Sequence, residues 1–168
     1  NGNPVKIQIP MGSSESFQGQ IDLIRRKAYY YDPADVATTL RVEAIPAEYA
    51  DDAELAKAEM IEKVAEFDDE VMEKFLADEE LSEKDIVKAI RKGTLAGKIQ
   101  PVLCGTALKH KGIRPLLDAV VDFLPSPSDV PSIIGHESLE GDKQIVRHPD
   151  PAEPFSALVF KIISDTHG

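Results

Sequence analysis

The chain has 168 residues, 42% of them hydrophobic, and its 30 acids against 19 bases give a formal net charge of −11. That composition suits a globular protein with room for one good core and an appended piece, and argues against a disordered chain. No apolar run approaches the ~20 residues that span a bilayer, no charged-then-apolar leader opens the chain, and the single cysteine, Cys104, allows no internal disulfide, which fits a reducing cytoplasm.

Taken in order, residues 4–10 alternate apolar and polar (Val5-Lys6-Ile7-Gln8-Ile9) and predict one half-buried strand bounded by Pro4 and Pro10. Two more strands are expected over 18–24 and 27–31, a turn at Asp32-Pro33, and a fourth strand over 38–44. The run Tyr29-Tyr30-Tyr31 is read as alternate rings packing on a core, not as a base-stacking platform. A long helix is expected over 50–77, because Ala53, Ala56, Met60, Val64, Phe67, Val71 and Phe75 step by three or four. A second helix is expected over 82–92, opening on Ser82 with Glu83 and Asp85 beside its positive end.

Charge is concentrated in this helical pair. Residues 48–88 hold sixteen acids and five bases, a net −11, while the rest of the chain is neutral. Phosphate binding needs clustered Lys and Arg, so nucleic acid is repelled here. A basic protein surface is attracted, with fast encounter and strong salt dependence. A merely solvated face is the plain alternative, but such faces usually mix their charges.

From Ile99 to Cys104 an apolar run suits a buried strand, and Gly105-Thr106-Ala107 follows as a small-residue loop. A helix then runs from Ile113 to Leu124, with Ile113, Leu116, Leu117, Val120, Val121 and Leu124 as its apolar face and Pro125 as its stop. In α/β sheets ligands lie beyond the carboxyl ends of strands, which would put Gly105 to Leu108 at a ligand edge; on spacing alone a plain strand-to-helix connection is the favoured reading. Gly93-Thr94-Leu95-Ala96-Gly97-Lys98-Ile99 resembles a phosphate loop but is one residue short, lacks the magnesium-binding Ser or Thr, and follows a helix, so it is rejected. No Asn-Lys-x-Asp occurs, the four histidines have no metal-ligand spacing, and no nucleophile elbow is present; no catalytic residue and no metal site are assigned. Beyond Leu124 the Pro125–Pro131 stretch reads as a connector, Glu140-Gly141-Asp142 as a turn, and Phe155 to Ile163 as a strand. That strand is expected to pack on the chain's own surface or to pair its edge with another copy. Asn1 at the start and a glycine in mid-turn at the end read as cut edges of something longer.

The stretch Val102-Leu103-Cys104-Gly105-Thr106-Ala107-Leu108-Lys109-His110-Lys111-Gly112, with Pro115 to Val120 and Leu124-Pro125-Ser126-Pro127, resembles the bacterial elongation factor G family of translational GTPases. So do Ile45 to Tyr49, Met72 to Leu76, Ala89 to Thr94 and Glu153 to Ile162, in the same order and spacing. The resemblance implies an α+β piece of an α/β GTPase domain. Residues 1–98 are then mostly an inserted acidic subdomain, 99–124 the domain's last strand and helix, 125–154 a linker, and 155–168 the first strand of a truncated β-barrel domain.

It further implies a parent that binds GTP or GDP with Mg2+, hydrolyses GTP on the ribosome and drives translocation. Gly105, Thr106, Ala107 and Leu108 would be a remnant of guanine recognition, with the Ala107 amide donating to the guanine carbonyl. Glu59, Glu62, Glu66, Asp69, Glu70 and Glu73 would dock on the basic surface of the ribosomal stalk protein. This piece alone is expected to carry no cofactor, to be inactive, and to touch neither nucleic acid nor membrane. Thr106 stands where serine is more usual, and Thr166-His167 replaces the family's Pro-Phe-Val. A ribosome-recycling paralogue and a stand-alone acidic interaction module without enzymatic activity therefore remain alternatives.

Overall fold

The computed structural model describes residues 2–31, 39–137 and 143–164. The turns expected at Asp32-Pro33 and Glu140-Gly141-Asp142, the start of the fourth strand at Thr38, and the last residues, Asp165 to Gly168, lie outside these. Strands and helices mix in an α+β arrangement that divides after Leu124 into two compact units.

The single strand expected over 4–10 is two strands. β1 (Pro4–Lys6) pairs in parallel with β6 (Gln100–Val102), whereas β2 (Gln8–Met11) pairs antiparallel with β3 (Gly19–Asp22). Ile7 falls between them: its N–H donates to Val102 O at 3.1 Å, while its carbonyl accepts from Leu23 N at 3.1 Å. Alternation alone could not reveal this, since both halves keep the same period. β4 (Lys27–Tyr31) and β5 (Leu40–Glu43) complete a four-stranded antiparallel sheet in the order β2-β3-β4-β5. All four residues of β3 are buried, so this strand is covered on both faces. Tyr29 and Tyr31 are buried on one face, and Tyr30, half-buried, lies under Arg41 at 5.2 Å.

The helix expected over 50–77 is also two. α1 (Ala50–Ala65) ends at Glu66, and α2 (Asp69–Leu76) starts afresh because Asp68 leaves the helical backbone (φ −145°, ψ 120°) and caps the new helix at Val71 N, 3.3 Å. Of the expected stripe, Ala53, Ala56, Met60, Val64 and Val71 are buried, while Phe75 is 39% exposed because the break rotates α2. α3 (Glu83–Leu95) begins with a reciprocal Ser82–Asp85 capping box and runs a turn past Lys92. Gly93 closes against Phe67 and Ile99, where a methyl would stand 2.8 Å from each side chain.

α4 (Ile113–Phe123) packs on α3, but through Pro115, Ala119 and Phe123. The expected apolar face is turned outward, with Leu117 59% and Val121 78% exposed. Periodicity finds an apolar helix but not which of two adjacent rows meets its neighbour. One continuous core runs from Val5 through Met60 and Ile90 to Phe123, so packing shows no break at residue 98.

In the second unit, the stretch expected to be a plain linker contains a hairpin, β7 (Ile133–His136) antiparallel to β8 (Gln144–Arg147). The strand expected over 155–168 is absent from the described part: residues 155–164 carry no regular structure, with Phe155 94% and Phe160 90% exposed. An isolated strand has no partner for its backbone groups, and β propensity alone does not supply one.

Candidate functional site

The loop after β6 is built by a short ladder across its neck. Thr106 N donates to Lys111 O at 2.9 Å, and Lys111 N returns to Thr106 O at 3.1 Å. Between them Ala107–Lys109 forms one 3₁₀ turn, closed by His110 in the left-handed region (φ 55°). Ala107 opens that turn, and the first N–H groups of a helical turn have no acceptor within it. Gly105 and Gly112 are required here. A methyl at Gly105 would meet Lys111 O at 2.7 Å, and Gly112 has φ 88° with Cys104 O 3.0 Å from where its Cβ would sit.

Around the loop, Leu108 is 93% exposed and Thr106 is half-buried. An open cavity of about 190 Å³ lies between Cys104–Ala107 and Lys111–Leu116. Cys104 itself is half-buried, and burial pushes its thiol up to about 11, so it stays protonated and inert at neutral pH.

The loop leans on the four-stranded sheet and its approach. Lys111 Nζ donates to Phe17 O at 3.2 Å and lies 5.9 Å from the Phe17 ring centre, while Gln8 Oε1 accepts from Cys104 N at 3.4 Å. The Gly93–Ile99 stretch is a helix end, not a phosphate cradle. Thr94 Oγ1 is committed to Ile90 O at 2.8 Å, and Gly97 (φ 67°) turns the chain out of α3.

The second candidate surface is the acidic elbow. Glu59, Glu62, Glu66, Asp69, Glu70 and Glu73 are all exposed, but the helix break distributes them over α1, the connector and α2. Glu59 pairs with Lys6 at 3.0 Å and Glu70 with Lys88 at 2.6 Å. Glu62, Glu66, Asp69 and Glu73 have no ion pair among the described residues. Glu70, Glu73 and Glu79 also rim an open groove beside α2.

Two positioning residues escaped the sequence reading. Asp68, almost wholly buried, accepts from Lys92 and pairs with Lys88 at 3.2 Å, and these contacts, Lys92 first, hold its carboxyl below the usual range. Its spacing before Val71 was the available N-cap signal. Arg25 reaches Asp22 (3.2 Å), Glu83 (3.1 Å) and Asp122 (3.3 Å), joining the sheet to α3 and α4. Burial is the largest influence and disfavours its charge, yet Asp22, Tyr29 and Glu83 together outweigh it and hold the guanidinium above its ordinary value. No local signal marks Arg25, because its partners are brought together only by the fold.

The fold is shared with a solved protein of Thermus thermophilus, at TM-score 0.64 and 24% identity over 85% of this chain and 22% of the other. The class is thus an α+β unit, with helices packed beside a small parallel pair and an antiparallel sheet. No protein-family model matches the chain. The particular protein it matches is bacterial elongation factor G. Elongation factor G of Ureaplasma urealyticum is 54% identical over 95% of this chain, and that of Thermotoga maritima 47% over 98%. The chain spans about a quarter of the length of these relatives, 23% and 24%.

Proposed function

We propose that this chain is the part of an elongation factor G-type, ribosome-associated GTPase that carries the insert and one edge of the guanine site. The observation that carries this reading is the match to elongation factor G along nearly the whole chain. In the parent, GTP with Mg2+ would be hydrolysed during translation elongation, and the ribosome would be the partner. The phosphate chemistry belongs to residues this chain does not have. Its own contribution to the nucleotide is the Gly105–Leu108 loop, where the Ala107 N–H, first of its turn, would donate to the guanine carbonyl.

The acidic elbow is the docking face for the basic surface of the ribosomal stalk protein. Glu62, Glu66, Asp69 and Glu73 are exposed without compensating ion pairs among the described residues, so their field is open to a partner. Each exposed carboxylate contributes only ~0.2–1 kcal/mol alone. The test is Glu62→Lys, Glu66→Lys and Glu73→Lys together in the intact factor, with ribosome-stimulated GTP turnover measured at low ionic strength. A several-fold fall in the variant, with the difference from wild type lost at high salt, supports docking, whereas turnover equal to wild type at low ionic strength overturns it.

A further inference from the structure

Beneath the Thr106–Lys111 loop lies a buried polar layer that the guanine reading leaves unused. Gln20 is fully buried, and neither oxygen nor nitrogen of its amide makes a directional hydrogen bond among the described residues. The Tyr31 hydroxyl, on a side chain 6% exposed, is likewise unsatisfied. Gln20 pairs with Tyr29 across β3 and β4, which makes Tyr31 its diagonal neighbour on the same face. That face abuts the loop: a methyl on Gly112 would lie 3.2 Å from Gln20 Nε2. Burial pushes the Tyr31 hydroxyl up to about 12, and the nearby Gln20 amide and Gly112 backbone pull it back only in part. The groups are adjacent, yet their geometry falls short of strong hydrogen bonds.

An unpaired buried amide is costly, whereas an apolar side chain of the same size would pack there without penalty. Native interiors retain few such groups, and each calls for a physical explanation. Gln20 and Tyr31 meet the loop at Gly112, and the loop is tied down on both flanks of the 3₁₀ turn, by Gln8 Oε1 accepting from Cys104 N and by Lys111 Nζ donating to Phe17 O.

We propose that Gln20 and Tyr31 are positioning residues for guanine recognition, holding the Gly105–Gly112 backbone from below so that the Ala107 amide meets the purine carbonyl, and completing their hydrogen bonds to that backbone when a guanine nucleotide is bound. The proposal rests on the reading of Gly105–Leu108 as a guanine edge. Discrimination by that amide depends on the purine carbonyl oxygen, so the matched probe is the diphosphate of 2-aminopurine riboside, which lacks it.

The experiment compares GDP with 2-aminopurine riboside diphosphate on the intact factor, for wild type, Gln20→Leu, Tyr31→Phe and Ala107→Pro. Proline is compatible with Ala107, which opens its turn behind an extended Thr106 (φ −130°, ψ 100°), so this change removes the N–H with little else. The preference for GDP should fall about tenfold in all three variants, the size of one hydrogen bond's net contribution. In the intact factor with GDP bound, hydrogen exchange at the Thr106 and Lys111 amides should quicken in Gln20→Leu and Tyr31→Phe while α1 amides keep their rates. A general loss of stability would instead speed both and leave the GDP preference unchanged, which overturns the proposal. A fall in Ala107→Pro alone also overturns it and leaves the guanine edge standing. An unchanged preference in Ala107→Pro overturns the guanine edge, and the proposal with it. Should Gln20→Leu fail to fold, Tyr31→Phe, which deletes one oxygen, carries the test.

Discussion

Arg25 Nη2 stands 3.3 Å from Asp122 Oδ2, joining residues 97 positions apart across the turn after β3 and the last turn of α4. The same guanidinium holds Asp22, whose Oδ1 also accepts from Ile24 N and Arg25 N at 2.9 and 2.8 Å and whose Oδ2 accepts from Tyr29 at 3.0 Å. Arg25→Ala would leave a buried carboxylate short of its main counter-charge. Loss of charged hydrogen bonds in a half-exposed setting costs about 2 kcal/mol. Urea unfolding of this chain should show that drop, and an unchanged midpoint would mean the cluster is solvent-screened.

The Ser82–Asp85 capping box makes stability depend on acid. Lys74 first, then Ser82, lower the Asp85 carboxyl from 3.8 to about 2. A depressed folded value means the contribution is complete above about pH 4 and is lost as pH falls toward 2. Asp85→Asn should therefore be less stable than wild type by about 1 kcal/mol at pH 6, the usual worth of a cap. The gap should close below pH 3. Denaturant melts at the two pH values check this, and a gap that persists in acid would contradict it.

Gly19 and Gly97 predict opposite outcomes for the same substitution. A methyl at Gly19 would sit 1.9 Å from Tyr29 O, a backbone atom fixed in the β3–β4 ladder. Gly19→Ala should cost on the order of 3 kcal/mol, since the sheet must shift to admit it. Gly97 has nothing within 4 Å and only its φ of 67° to object. Gly97→Ala should cost about 1 kcal/mol. Comparable losses at both sites, measured by thermal unfolding, would refute the packing of β3 against β4.

Nucleotide binding by this chain alone should be weak. One loop amide is worth ~1 kcal/mol net, against ~8 kcal/mol for micromolar affinity. Calorimetry with GDP should detect no submicromolar binding, and finding it would place more of the nucleotide site in these residues than the loop provides.

Local chemistry fixed several features in advance. Ser82 with Asp85 starts α3 because a hydroxyl and a carboxylate can satisfy the first amides of a helix without outside help. Gly105 and the turn after it follow from residue size, and the one-sided charge of residues 48–88 is a matter of composition. Other features depended on partners far along the chain. Pro4–Lys6 leaves the strand it was expected to share because Gln100–Val102 offers a parallel edge. α4 buries Pro115, Ala119 and Phe123 because α3, distant in the chain, packs beside it. Asp68 breaks the long helix where Lys88 and Lys92 can neutralise it. Short-range sterics and charge are written residue by residue, so sequence determined the caps, turns and acidic field; which edge pairs, which row is buried and which polar groups meet beneath a loop are set by contacts closed over long loops, and only the tertiary structure decided them.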